Sequence, residues 1–228
     1  MLPPVEGKRF SIFPIKYRIV VSLARADLKT LEFKLVALQF KTKFQYDNGE
    51  NQMDVKFFLR AYSQGDRNFQ AAILHGVDLS NCNLSGIDLS RADLSGANLS
   101  GANLSRANVK YANLAGADIS HADLSGAHLE SVNLIGAALD GTKLVGSNLT
   151  RADLRTADVE GAALRGANLT EADVSGANFR QVDLASACLE GVDLQGVDLD
   201  GTDISQILSR AEQESAGISR DWVSWGAH

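Results

Sequence analysis

The chain has 228 residues, 45% apolar and 22% charged, with a formal net charge of −6; this length suffices for one sizeable core or for a solenoid with small appendages. The charge is uneven: residues 1–52 hold 9 Lys/Arg against 5 Asp/Glu, whereas residues 72–206 hold 8 against 18, which argues against a repeat wall that binds nucleic acid by neutralising phosphates. Two cysteines are too few for a disulfide framework, so a reducing, cytoplasmic setting is expected, and no stretch approaches the roughly 20 apolar residues that span a bilayer.

Residues 1–52 form a basic N-terminal extension to which the sequence assigns no element. Lys16, Arg18 and Arg25 bracket an apolar run at 19–23 that is too short for a good signal-peptide core. Met53, succeeded at once by a helix pattern, suggests a natural start at that residue. Residues 53–65 read as a short helix: Val55, Phe58, Leu59 and Tyr62 fall on one face, Asp54 can cap the start and Gly65 can end it. Residues 53–71 are therefore expected to form a capping helix and the entry into the next segment of the chain.

From Leu74 to Ile204 every fifth residue is apolar, at 27 positions of 27, 21 of them Leu. Two residues earlier sits a small side chain, Ala at 17 of 27 positions. Residues two apart in an extended chain point to the same side, so each pentapeptide buries a small and a large side chain together. A period of five matches neither a helix nor a continuing strand; the chain must turn between one buried pair and the next. Asp or Asn lies between the pair at 21 of 27 positions, and these short polar side chains support turns by bonding nearby backbone. Gly recurs two residues after the large one, as at Gly96, Gly101 and Gly116, where a corner needs positive φ.

Stretches such as Ala92-Asp93-Leu94-Ser95-Gly96 and Ala97-Asn98-Leu99-Ser100-Gly101 resemble the pentapeptide-repeat family. The resemblance implies an all-β solenoid over residues 72–206, a right-handed four-sided β-helix of about seven coils in which four pentapeptides complete one coil. At ~4.8 Å per coil it would be about 32 Å long. It also implies that the N-terminal helix caps the first coil.

Residues 207–228 are expected to form a C-terminal cap or tail. Ile207 and Leu208 continue apolar, and Trp222 and Trp225 are the chain's two tryptophans. They either fold back over the last coil or anchor a homodimer or another partner, since Trp is common at binding hot spots.

The four histidines (75, 121, 128, 228) and two cysteines (82, 188) show no metal-ligand spacing, so neither metal nor cofactor is expected. Cys82 takes an inward small-residue position and Cys188 replaces an Asp/Asn. At twenty residues per coil they lie more than five coils apart, too far for a disulfide. Carboxylates and serines recur because the repeat places them, without a matched catalytic base, and no phosphate-binding glycine loop occurs. No enzyme is expected.

Sorting residues by their place in a 20-residue coil puts Leu89, Val109, Leu129, Leu149, Leu169 and Leu189 on one wall. That wall projects Arg91, Lys110, Tyr111, Glu130, Arg151, Glu171 and Glu190 outward, with His128 at a turn position. The next wall, centred on Leu94 to Leu194, carries Gly in its matching slots except at Thr156. A third holds Asp140, Glu160 and Asp200 with Arg180. The decorated wall is either a recognition surface or a solvated face. The expected function is a non-catalytic scaffold for protein–protein interaction, with no membrane or nucleic-acid partner. The resemblance adds an alternative, because some family members mimic duplex DNA and bind, protect or inhibit DNA gyrase. The protective members typically carry projecting loops and a dimerising C-terminal segment, and this array has no interruption.

Overall fold

The computed structural model describes residues 53–205; the readings placed on 1–52 and on 206–228, including Trp222 and Trp225, lie outside the described residues. The first element, α1, is the helix Val55–Ser63. Asp54 starts it, its Oδ1 accepting from the backbone N–H of Lys56 at 2.7 Å and of Phe57 at 3.4 Å, which satisfies donors that the first turn leaves orphaned. Gly65, at φ +97°, lets the chain leave just beyond the C-cap Gln64.

Of the four apolar residues on the helix face only Phe58 is fully buried. It meets Phe69 edge to face at 4.6 Å between ring centroids, and the Tyr62 hydroxyl donates to the Ser85 carbonyl at 2.8 Å. Just ahead of α1, the buried Met53 donates its N–H to Ile73 O at 2.9 Å. The helix thus closes the start of the solenoid, where an open coil would expose apolar surface and unpaired backbone.

Beyond it the chain is a right-handed four-sided β-helix. Each β-bridge joins residues twenty apart in parallel, from Asn68↔Asp88 to Asn178↔Asp198, so one coil is four pentapeptides. The ladder is regular: Leu74 N–H donates to Asp93 O at 2.7 Å, and Asp93 N–H returns to Ala72 O at 2.9 Å. Corners are tight turns, as where Ala97 N–H donates to Leu94 O at 3.0 Å around Gly96, whose φ is +62°. The residue before Gly96 does not share its positive φ, which makes the turn type II. The Asp/Asn between the buried pair supports that turn by accepting from the N–H two residues on, as Asp93 Oδ1 does from Ser95 at 3.1 Å.

The core is the stack of large and small side chains expected from the period. Leu74, Leu79, Leu84, Leu89 and Leu99 are fully buried, with Ala92, Ala97 and Ala102 beside them; each buried Leu contributes roughly 2 kcal/mol of transfer free energy. Thr142 takes a small-residue slot at no net polar loss, its hydroxyl donating to Ile119 O at 2.9 Å. From Ala72 to Ala187, Cys82 alone among the inward small residues is only half-buried. It lies in the first coil.

Candidate interaction surface

The corner residue of every pentapeptide adopts left-handed φ, and the four corners of successive coils form four columns. One column reads Ala71, Arg91, Tyr111, Ser131, Arg151 and Glu171, with φ between 54° and 60°. The next reads Gly76, Gly96, Gly116, Gly136, Thr156 and Gly176. A left-handed conformation costs an ordinary L-residue about 1–2 kcal/mol, a penalty glycine does not bear. Six successive coils therefore place non-glycine side chains where glycine would serve the fold better.

The structure brings most of the expected residues into contact along this column and the strand ends beside it. The Arg91 guanidinium carbon lies 5.9 Å from the Tyr111 ring centroid, and Tyr111 is 59% exposed. Lys110 Nζ pairs with Glu130 Oε1 at 2.8 Å, and Arg151 Nε with Glu171 Oε2 at 2.5 Å. That pairing raises the Arg151 pKa and lowers that of Glu171. Glu190 joins through its backbone: its carbonyl accepts from Glu171 N–H at 2.8 Å.

Other residues belong to the wall although the outward pattern did not select them. Glu130 Oε1 also accepts from Asn148 Nδ2 at 3.0 Å and stands 4.0 Å from His128 Nδ1, while its Oε2 is buried without a hydrogen-bond partner among the described residues. Arg106 occupies the corner on the wall's opposite edge, its aliphatic stem over Gly126, and makes no ion pair among the described residues. Asp88 sits between these edges. Burial alone would raise its pKa, but hydrogen bonds from Gln70 Nε2 at 2.7 Å, from Ser90 N–H at 3.0 Å and from Asn108 Nδ2 at 3.1 Å hold it below the usual range. Extending the 20-residue sort to the preceding corner would have found Arg106; the convergence on Glu130 depends on rotamers and has no sequence signal.

The remaining walls are more acidic. Arg155 pairs with Asp153 at 2.7 Å and lies 3.8 Å from Asp173; Arg180 pairs with Asp200 at 3.0 Å and lies 3.8 Å from Asp198. Among the described residues no group of three His, Cys, Asp or Glu is placed to hold a metal, and no helix is long and apolar enough to cross a membrane. Cys82 and Cys188 are both free thiols, and burial pushes the Cys82 pKa up, with Asp78 adding to it.

The family model for pentapeptide repeats matches residues 72–110 and then, in overlapping copies, 112–201. Among solved structures, the chain is 28% identical to a pentapeptide repeat protein, Rfr23, of the cyanobacterium Cyanothece 51142, covering 63% of this chain and 97% of that one at a TM-score of 0.44. It is 31% identical to HetL, a pentapeptide repeat protein involved in heterocyst differentiation regulation in Nostoc sp. strain PCC 7120, covering 66% and 92% at a TM-score of 0.35. A third, QnrB1, a plasmid-mediated fluoroquinolone resistance protein, is 26% identical, covering 68% and 94% at a TM-score of 0.39. No curated protein sequence matches the chain.

Proposed function

Since the chain belongs to the pentapeptide-repeat family, we propose that it is a non-catalytic scaffold that binds a protein partner through the wall bearing Arg91, Lys110, Tyr111, Glu130, Arg151, Glu171 and Glu190. The observation that carries this reading is the run of non-glycine corners from Ala71 to Glu171, all at positive φ. Side chains held at a local conformational cost serve something other than the corner itself, and strained positions concentrate where proteins recognise partners. A solvated face has no need of such corners, because charge for solubility can be placed on unstrained positions.

The pairings also favour one partner chemistry over others. Lys110 and Arg151 are already matched by Glu130 and Glu171, whereas Arg91 is engaged only by the Tyr111 ring and Arg106 by no carboxylate among the described residues. A protein segment that presents carboxylates beside an apolar group fits the N-terminal half of the wall, with Tyr111 as the contact plate. The test is capture from the source lysate with the wild type and with a variant changed to Ala at Arg91, Tyr111 and Arg151. A protein recovered with the wild type, and lost with the folded variant, carries the reading; identical recovery would overturn it.

A second reading, mimicry of duplex DNA towards DNA gyrase, is favoured by the wall holding Asp118, Asp140, Asp158, Glu160, Asp198 and Asp200 against Arg180 alone. Stacked carboxylates along a rigid wall present a regular negative surface. Purified protein that leaves gyrase supercoiling unchanged, with and without a quinolone, ends this reading.

A further inference from the structure

Departures from the repeat gather on two adjacent walls. Asp or Asn occupies the turn-supporting position in 21 of 27 pentapeptides, and three of the six exceptions, Ala138, Lys143 and Ala163, lie on the walls that meet at the corner column of Gly141 and Gly161. None of these three side chains can accept the turn N–H, so the fold forgoes there the bond that Asp118 and Asp158 make to Ser120 and Glu160. The first wall, built on Leu99, Ile119, Leu139 and Val159, is the acidic one. The second, built on Leu104, Leu124, Leu144 and Leu164, carries Lys143 and Arg165, both exposed, and Val145 is 42% exposed on it. Gly146 and Gly166 leave its far corner bare, with open space where side chains would stand, so another wall can approach closely.

We propose that these two walls are the complementary sides of one interface: the wall bearing Lys143 and Val145 packs on the acidic wall of a second copy, and four parallel copies close into a ring around the Gly141 column. Laying one of two perpendicular walls on the other turns each copy by a quarter circle, and a heterologous contact of that kind closes. Each row of the second wall then meets the row five residues earlier on its neighbour, a height difference of only ~1.2 Å. Residues nearer the shared corner meet each other, so Lys143 faces the next copy's Asp140 and Val145 faces its Ala138. One coil on, Arg165 faces Asp158, and in the following row Asp183 faces Arg180. Within a copy Arg165 also holds Asp183 at 3.1 Å, which joins these two rows in one network. Asp140 Oδ1 accepts from the Ser120 hydroxyl at 2.6 Å, and its Oδ2, 3.7 Å from the exposed His121 ring, stays open to a cation. Opposite charges in three successive rows around an apolar contact fix partner and register. Only the row at the end of the array, Asp203 against Asp200, opposes like charges. A wall about 10 Å wide with paired rows about 20 Å tall offers too little area to hold two copies by itself, whereas in the ring each copy uses both walls. The corners of Arg91, Tyr111 and Arg151 lie diagonally opposite the Gly141 column, so the ring displays four decorated columns on its outside. It covers the acidic wall, and so competes with the gyrase reading but not with partner binding.

Sedimentation of the full chain at low salt should show monomer and tetramer in exchange, the tetramer growing with protein concentration and disappearing at high salt. Lys143→Asp restores the acceptor that its turn lacks, so this variant keeps the fold, and it should abolish the tetramer. Asp140→Lys should do the same. Combining the two exchanges the charges of the pair and should bring the tetramer back, a result that misfolding cannot produce. Val145→Ser, which installs the residue found in that slot at Ser85, Ser105 and Ser125, should weaken the tetramer several-fold. A wild type that stays monomeric at every concentration would overturn the proposal. So would a dimer or tetramer that Lys143→Asp leaves unchanged, which would assign association to another surface. Neither result bears on capture of a partner through Arg91 and Tyr111.

Discussion

The imidazole of His121 lies over the backbone of Gly141 in the following coil: a Cβ built on Gly141 would overlap Nδ1 and stand 2.9 Å from Cε1. The same column repeats the device, with Asn81 Oδ1 2.6 Å from the Cβ position of Gly101 and Gln181 Cγ 3.2 Å from that of Gly201. At this corner glycine serves two ends, a positive φ and room for the side chain stacked on it. Gly141→Ala should therefore destabilise slightly more than Gly161→Ala, where φ is +66° and nothing lies within 4 Å, the difference being the small cost of swinging the exposed His121 ring aside. The second change should cost about 1 kcal/mol from backbone conformation alone. Adding His121→Ala to Gly141→Ala should bring the loss back to that level in a thermal-melt cycle.

Leu124 is 2% exposed at the centre of the array. Replacing it with Asp buries a charge without a partner and should cost at least about 3 kcal/mol. A melting temperature left unchanged by Leu124→Asp would contradict the register in which every fifth residue points inward.

Stability and recognition should part company on the decorated wall. Tyr111 and Arg91 hold φ of 59° and 60°, so Tyr111→Gly and Arg91→Gly remove local strain, offset in part by greater freedom of the unfolded chain and by loss of an exposed cation–π contact of about 0.5 kcal/mol. Each should leave stability unchanged or raised by up to about 1 kcal/mol while weakening partner capture. Equal losses of both would mark these side chains as structural.

Asp88, Asp93 and Asp123 are the more buried of the carboxyls whose pKa is lowered, and contribute to the acid response. Burial acts to raise each pKa, but hydrogen bonds from Ser90, Ser95 and Ser125, with Gln70, Asn108 and Asn113 helping the first two, outweigh it and leave all three lowered. Lys143 and His75 add charge in the same direction at Asp123 and Asp93. A carboxyl with a lowered folded pKa contributes stability that is present above its unfolded value and is lost as pH falls through the folded value. Urea midpoints should hold steady down to the ordinary aspartate range and decline below it. Changing all three to Asn should flatten that decline, since Asn98 and Asn103 make the same turn bond through Oδ1.

Much of the fold was legible because a repeat states its rule many times. The alternation of Ala92, Asp93 and Leu94 assigns inside, turn and inside, and the structure buries Ala92 and Leu94 while Asp93 accepts from Ser95. The helix face was read with less resolution: Val55, Leu59 and Tyr62 share it with Phe58, yet Phe58 alone is fully enclosed, because one helix laid across a narrow coil end can seat only its central residue. On the candidate surface, the 20-residue sort placed Arg151 above Glu171 and Lys110 above Glu130. It missed Arg106, which faces the same wall from the opposite corner, and the crowding of Lys110, Asn148 and His128 around one oxygen of Glu130.

The sequence by itself determined which side chains enter the core, where the chain turns and which residues cap α1, since these depend on spacing within a few residues and on the alternation of an extended chain. A period of five does not state how many sides complete a coil; that depends on the angle turned at each corner, a property of backbone dihedrals. The tertiary structure decided it by pairing residues twenty apart, as in Asp93↔Asn113, and thereby decided which charges meet. It also decided that Arg91, Tyr111 and Arg151 carry left-handed φ, because the hydrogen-bonded coils above and below impose the corner geometry on whatever residue occupies it.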